Sequence, residues 1–103
     1  INQLINVVAM KYEGTVFQIK VWKEIIKIPK GCVKTYKEIA IIIGNPKSSR
    51  AVANACGKNP CVPIIPCHRV IRSDGKLGGY SGEGGINAKK KLLMDEGYLN
   101  FKI

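Results

Sequence analysis

TYKEIAIIIGNPKSSRAVANAC, residues 35–56, is the stretch on which the fold turns. Thr35 and Glu38 have the spacing of a capping box: the hydroxyl accepts an amide proton three residues on, and the carboxylate reaches back to the first amide. This opens a short helix that carries Ile39, Ala40 and Ile43 on one side, and Gly44 terminates it. Asn45-Pro46 then restarts the chain, with Asn45 as a cap and Pro46 in the first turn, and a second helix runs to about Cys56. Helix, glycine turn, helix is the layout of a helix-turn-helix. Two short helices also meet for packing alone, so this pattern leaves DNA binding and simple packing both open.

Upstream, Thr15 and Gln18 form another capping-box pattern, and a helix from Val16 to Ile26 follows with Phe17, Val21 and Ile25 on one face. Ile28-Pro29-Lys30-Gly31 ends it. Residues 1–14 read as an apolar lead-in, a strand or the remnant of another domain, and residues 15–103 as the folded unit. Ile1 rather than Met opens the sequence, which leaves room for a further domain ahead of it. Downstream, residues 57–66 hold three prolines and no helical period, so they read as a loop. Val70-Ile71-Arg72 reads as a strand turned at Asp74-Gly75. Five glycines between 78 and 85 surround Tyr80 and Ser81, a loop whose backbone can approach a ligand closely. Asn87 is expected to cap a last helix, with Leu92 and Leu93 buried, Lys89, Lys90 and Lys91 exposed, and Gly97 at its end.

Seventeen Lys and Arg against seven Asp and Glu give the 103 residues a net charge of +10, which points to a polyanionic partner. No apolar run approaches the length of a membrane span, and the first ten residues lack the pattern of a secretory leader. The expectation is therefore an intracellular, reducing location, cytoplasmic or nuclear, with no membrane partner. Cys32, Cys56, Cys61 and Cys67 permit disulfides by number alone. Cys56, Cys61, Cys67 and His68 lie close together, yet their gaps fit no usual zinc pattern, so no metal is expected.

Ile65-Pro66-Cys67-His68-Arg69-Val70 is the stretch with chemistry in it. The chain's single histidine follows a cysteine directly, and an arginine follows both. Thiolate is the nucleophilic form of cysteine, and nearby positive charge favours it. Neighbours on an extended chain point opposite ways, so Cys67 and His68 need a turn or a bridging water to cooperate. A buried structural cysteine is the plainer reading. An acyl or phosphoryl target would allow turnover; a saturated alkyl carbon would leave a stable thioether and a spent protein. The residues alone do not choose.

Phe17-Gln18, Trp22, Ile28-Pro29-Lys30-Gly31, Thr35-Tyr36, Gly44-Asn45-Pro46-Lys47, Arg50-Ala51-Val52, Asn59-Pro60 and Pro66-Cys67-His68-Arg69-Val70-Ile71, continued by Asp74-Gly75, Gly79-Tyr80-Ser81-Gly82, Lys91-Leu92-Leu93 and Glu96-Gly97, follow one another in an order that resembles the C-terminal domain of the O6-alkylguanine-DNA alkyltransferases. The resemblance implies a mainly helical α/β domain, a winged-helix-like helix-turn-helix with a buried cysteine pocket. It implies DNA repair by single-turnover transfer of an alkyl group from O6 of guanine to Cys67, without a cofactor, by a monomer acting on double-stranded DNA. By the same resemblance His68 takes the Cys67 proton through a water, Glu96 orients His68, and Asn59 braces the active-site turn. Tyr36 donates toward the guanine and crowds the adjacent phosphate. Arg50 fills the stack the base has left, Ala51 and Asn54 face DNA with Ala53 and Ala55 keeping the helix slim, and Tyr80 and Ser81 line the pocket. Asn54 departs from the glycine frequent among relatives. The alternative within reach of the resemblance is a non-enzymatic, lesion-binding alkyltransferase-like protein; such proteins carry another residue in place of the acceptor cysteine.

Overall fold

The computed structural model describes residues 14–60, 64–80 and 82–101. Its first helix, α1, spans Val16–Ile26 and opens on the expected capping box: Thr15 Oγ1 accepts from the Gln18 amide at 3.0 Å, and the Gln18 side chain accepts from the Thr15 amide at 3.0 Å. Thr35 and Glu38 repeat the arrangement at the start of α2, Tyr36–Ile42. Gly44 ends α2 with φ +85°; its amide donates to the Ile41 carbonyl and that of Asn45 to the Ala40 carbonyl. This is a Schellman closure, and the positive φ is why a glycine is needed there.

The closure also corrects an expectation. Asn45 belongs to the end of α2 and does not cap the next helix: its carbonyl accepts from both the amide and the hydroxyl of Ser48. The next helix, α3, starts three residues past Pro46 and spans Ser49–Gly57. α1, α2 and α3 pack around Val21, Trp22, Ile25, Ile39, Ala40, Val52 and Ala55, all almost wholly buried. Trp22 Nε1 donates to the Ala55 carbonyl at 2.9 Å, which locks α3 against α1. A buried indole N–H needs such a partner.

Two strands of two residues each complete the first layer. β1, Lys34–Thr35, was not expected; it pairs in parallel with β2, Val70–Ile71, in the register Lys34↔Val70 and Thr35↔Ile71. Arg72 lies outside the strand and in the turn, where its amide donates to the Lys76 carbonyl and the Gly75 amide donates back to its carbonyl. The last helix, α4, spans Gly85–Asp95. Its cap is Gly84 at φ +88°, where an added Cβ would meet the Ala88 Cβ at 2.9 Å. Asn87 therefore lies inside the helix, contrary to expectation. Leu93 is fully buried and Leu92 half-buried. Lys89 corrects the reading most: Lys90 and Lys91 are exposed, but Lys89 is 0% exposed. Gly97, at φ +95°, closes α4 with the same Schellman pattern as α2. The fold is thus the mainly helical α/β, helix-turn-helix domain expected. Among the described residues no helix is long and apolar enough to cross a membrane. The lead-in, residues 1–13, lies outside the described residues.

Candidate active site

Cys67 opens a 3₁₀ turn, Cys67–Arg69, set between Pro66 and β2. The Ile65 carbonyl holds this turn from two sides, accepting from the Cys67 amide at 2.8 Å and from Asn59 Nδ2 at 2.6 Å. Asn59 thus reaches the turn that carries Cys67. Cys67 is 4% exposed and lies in the wall of a cavity of about 880 Å³. Tyr36, Arg50, Asn54, Cys56 and Tyr80 share that wall.

The turn carries its next two side chains toward the end of the last helix. His68 and Arg69 both reach Glu96, beyond the end of α4. His68 Nε2 lies 3.0 Å from one carboxylate oxygen, and Arg69 grips the carboxylate through Nε at 2.9 Å and an η nitrogen at 2.7 Å. The other η nitrogen of Arg69 donates to the Ile28 carbonyl at 2.7 Å. The Arg69 hydrogen bonds, aided by His68, hold Glu96 down at about 2. Glu96 is therefore a carboxylate at neutral pH and only accepts hydrogen bonds. It follows that His68 carries its proton on Nε2 and leaves Nδ1 bare. Burial pushes the His68 pKa down, partly offset by Glu96, so the ring is neutral near pH 7. Nδ1 is buried and has no hydrogen-bond partner among the described residues. The arrangement is a neutral imidazole held in one tautomer by an ionised carboxylate.

Cys56 is the second sulfur in the cavity wall. Burial first, and then the proximity of Cys67, push the Cys56 thiol up to about 12, so Cys56 stays protonated near neutrality. Burial, with smaller contributions from both sulfurs, pushes Tyr36 up to about 12 and keeps it a proton donor. Tyr80 is raised in the same sense, again chiefly by burial. Cys32 is exposed. Ser81 and Cys61 lie outside the described residues.

On α3, Arg50, Ala51 and Asn54 are exposed, and Arg50 and Asn54 border the cavity. Ala53 lines the cavity, whereas Ala55 is core, tied to Trp22. The expectation that Ala51, Ala53 and Ala55 share a slim DNA-facing surface fails at Ala55, because every second residue of a helix does not share a face. Two residues were missed. Arg69 was read as a charge near the thiol, but it is committed to Glu96. Lys89 was read as surface, and the lysine run at 89–91 carries no signal that separates it from its neighbours.

The family described as "6-O-methylguanine DNA methyltransferase, DNA binding domain" matches residues 16–98. The chain belongs to this family. A methylated-DNA--protein-cysteine methyltransferase of Methanosarcina barkeri is 56% identical over 84 residues, covering 82% of this chain and 52% of that protein. Among solved structures of the family's fold, Mycobacterium tuberculosis OGT in complex with DNA superposes with a TM-score of 0.78 at 52% identity, over 82% of this chain and 50% of that one. S. pombe Atl1, in complex with damaged DNA containing O6-carboxymethylguanine, gives 0.72 at 34% identity, over 84% and 80% of the two chains. The chain spans about half the length of the curated methyltransferases it matches.

Proposed function

We propose that residues 15–103 are the C-terminal active-site domain of a DNA-repair protein that moves an alkyl group, methyl above all, from O6 of guanine in double-stranded DNA to its own Cys67. The observation that carries this reading is the buried Cys67 in a cavity wall, adjacent in sequence to a neutral His68 whose tautomer an ionised Glu96 fixes. In this reading Cys67 gives its proton, through one bridging water, to His68 Nδ1. The thiolate sulfur attacks the alkyl carbon, the carbon–O6 bond breaks, and its electron pair stays on the guanine. Tyr36 donates a proton to the base, so a neutral guanine leaves; the phenolate then regains a proton from solvent, and the His68 imidazolium gives its extra proton back to solvent. The product is a thioether, which water does not readily cleave, and each molecule acts once. The acceptor is the thiolate and the leaving group is the base, so the reaction as written consumes no cofactor.

A base inside a duplex is out of reach of a buried thiol and has to be extruded. Arg50 and Asn54, exposed at the rim of the cavity on α3, support insertion of this helix beside the vacated position, and the charge of +10 supports a phosphate-rich partner. The resemblance implies that α3 enters the minor groove, where base reading is degenerate, and this suits repair without sequence preference. Ser81 completes the pocket beside Tyr80 in this reading, and the protein works as a monomer inside the reducing cell, cytoplasmic or nuclear. The lesion-binding alternative has less support, because position 67 holds a thiol with a base behind it.

Intact-mass measurement after incubation with excess O6-methylguanine duplex tests the proposal. The expected gain is a single methyl on the peptide that contains Cys67. Guanine released well beyond one equivalent, or a label on Cys32, Cys56 or Cys61 instead, would count against it. Arg50→Ala is expected to slow transfer from duplex more than transfer from a free O6-alkylguanine base, which needs no extrusion. Its binding should lose about one unit of salt slope. Equal slowing on both substrates would place Arg50 in the chemistry or the fold.

A further inference from the structure

Lys89 is the one cation sealed inside the described structure, and the mechanism above makes no use of it. From α4 its ammonium spans to the carbonyls of Val70 at 2.7 Å, Leu77 at 2.5 Å and Gly79 at 3.1 Å, and to the Tyr36 hydroxyl at 3.4 Å. Its Nζ also lies 5.7 Å from the centre of the Tyr36 ring. Three segments are thus joined at one nitrogen: the start of α2, β2, and the glycine loop. The loop is fitted to this junction. Gly78 has φ +72°, and an added Cβ would sit 3.0 Å from the Tyr36 hydroxyl oxygen and 3.3 Å from its ring. The loop therefore closes on Tyr36 with no side chain between them.

An ammonium only donates. Its three protons go first to the three carbonyls, and the longer contact to the Tyr36 oxygen shares one of them. The positive charge still faces a lone pair of that oxygen, so the hydroxyl aims its own hydrogen away from Lys89. The open side of Tyr36 is the cavity that it lines with Cys67. On these grounds we infer that Lys89 is a positioning residue, which aims the Tyr36 hydroxyl hydrogen into the cavity and pins the Gly78–Tyr80 wall around it. This selects a ligand that presents a hydrogen-bond acceptor opposite Tyr36, and it rests on the reading of the cavity as a purine pocket. Burial lowers the Lys89 pKa to about 8, which leaves the group mostly charged near neutrality.

Two measurements test the inference. The first is independent of any reaction: the Lys89 ammonium is observed by proton–nitrogen NMR in the unmutated protein and in Tyr36→Phe. A resonance protected from exchange that moves when the hydroxyl is removed is expected; one that does not move overturns the inference, whether or not the protein transfers alkyl groups. The second is a double-mutant cycle on single-turnover transfer from O6-methylguanine duplex, with Lys89→Met, Tyr36→Phe and the double variant. Tyr36→Phe alone should slow transfer about tenfold, and within the Lys89→Met background the same change should cost less than about threefold. Slowings that multiply in full would mean that Lys89 only stabilises the fold, and would overturn the inference. If Lys89→Met does not fold, the NMR result decides. Failure of the unmutated protein to label Cys67 would instead overturn the proposed reaction, leaving the Lys89–Tyr36 coupling to stand or fall on its resonance.

Discussion

Cys67→Ser is expected to retain binding to an O6-methylguanine duplex and to lose transfer by at least about a thousandfold. The two side chains differ little in size, and Cys67 sits in a wall already shaped by Tyr36, Tyr80 and α3, so the pocket should persist. What changes is the nucleophile. A hydroxyl is a far weaker acid than a thiol, so a neutral imidazole cannot generate a useful amount of the anion. Oxygen is also a poorer partner than sulfur for a saturated carbon. Single-turnover assays read the rate, and a competition assay against unmodified duplex reads the binding. A serine variant that transfers within tenfold of the unmutated rate would remove Cys67 from the role of acceptor. Loss of both binding and transfer would show that the pocket had not formed.

Glu96→Gln should have the second-largest effect, and on two observables at once. Glu96 is the only carboxylate that meets the Arg69 guanidinium among the described ion pairs, and both side chains are nearly buried, at 13% and 12% exposed. Removing one partner of such a pair strands the other charge and costs about 3 kcal/mol. The amide also no longer forces the His68 proton onto Nε2, so transfer should slow about a hundredfold or more even where the variant is fully folded. Urea denaturation and single-turnover rates check the two parts. A variant of unchanged stability and rate would sink the assignment of Glu96 as orienter.

The same carboxylate sets the response to acid. Its folded pKa of about 2 lies below the ordinary 4.5, so its contribution is complete above pH 4.5 and is lost as pH falls from there through about 2. The amount is on the order of 2 kcal/mol. His68, also depressed by burial, has the same sign: its contribution is complete above 6.5 and declines as pH falls through its folded value. Stability should therefore begin to fall below about pH 6.5 and steepen below 4.5. In Glu96→Gln the lower of these two phases should be missing.

The parts of this structure legible in the sequence are those fixed within a turn or two of chain. Both capping boxes, at Thr15 and Thr35, stand as read, because their donors and acceptors are three residues apart. Gly44 and Gly97 likewise end helices through a backbone angle that is their own. Local rules misplaced the starts of α3 and α4 where two signals competed. Asn45 was claimed by the end of α2, and the left-handed Gly84 opened α4 ahead of Asn87. Two-residue strands have no period to detect, and β1 is a strand only because β2 lies beside it. The site divides the same way. Cys67 and His68 stand out by their adjacency and Glu96 comes from the resemblance, but Arg69's commitment to Glu96 and Lys89's burial depend on partners far along the chain. Three consecutive lysines look alike until the tertiary structure sorts them.

The turn that carries Cys67 is secured by distant parts of the chain: Ile28, just past α1, takes Arg69, and Glu96, past α4, takes both Arg69 and His68. Closing such long loops costs chain entropy before any contact repays it, so these bonds belong to the late stages of assembly. Under the proposed reaction, Cys67 has no oriented base until they form. A nascent chain, or one whose last helix has frayed, is then expected to be silent toward alkylated DNA even if the helix-turn-helix has already folded. Onset of Cys67 reactivity toward a small electrophile can therefore serve as a clock for the docking of the C-terminal helix.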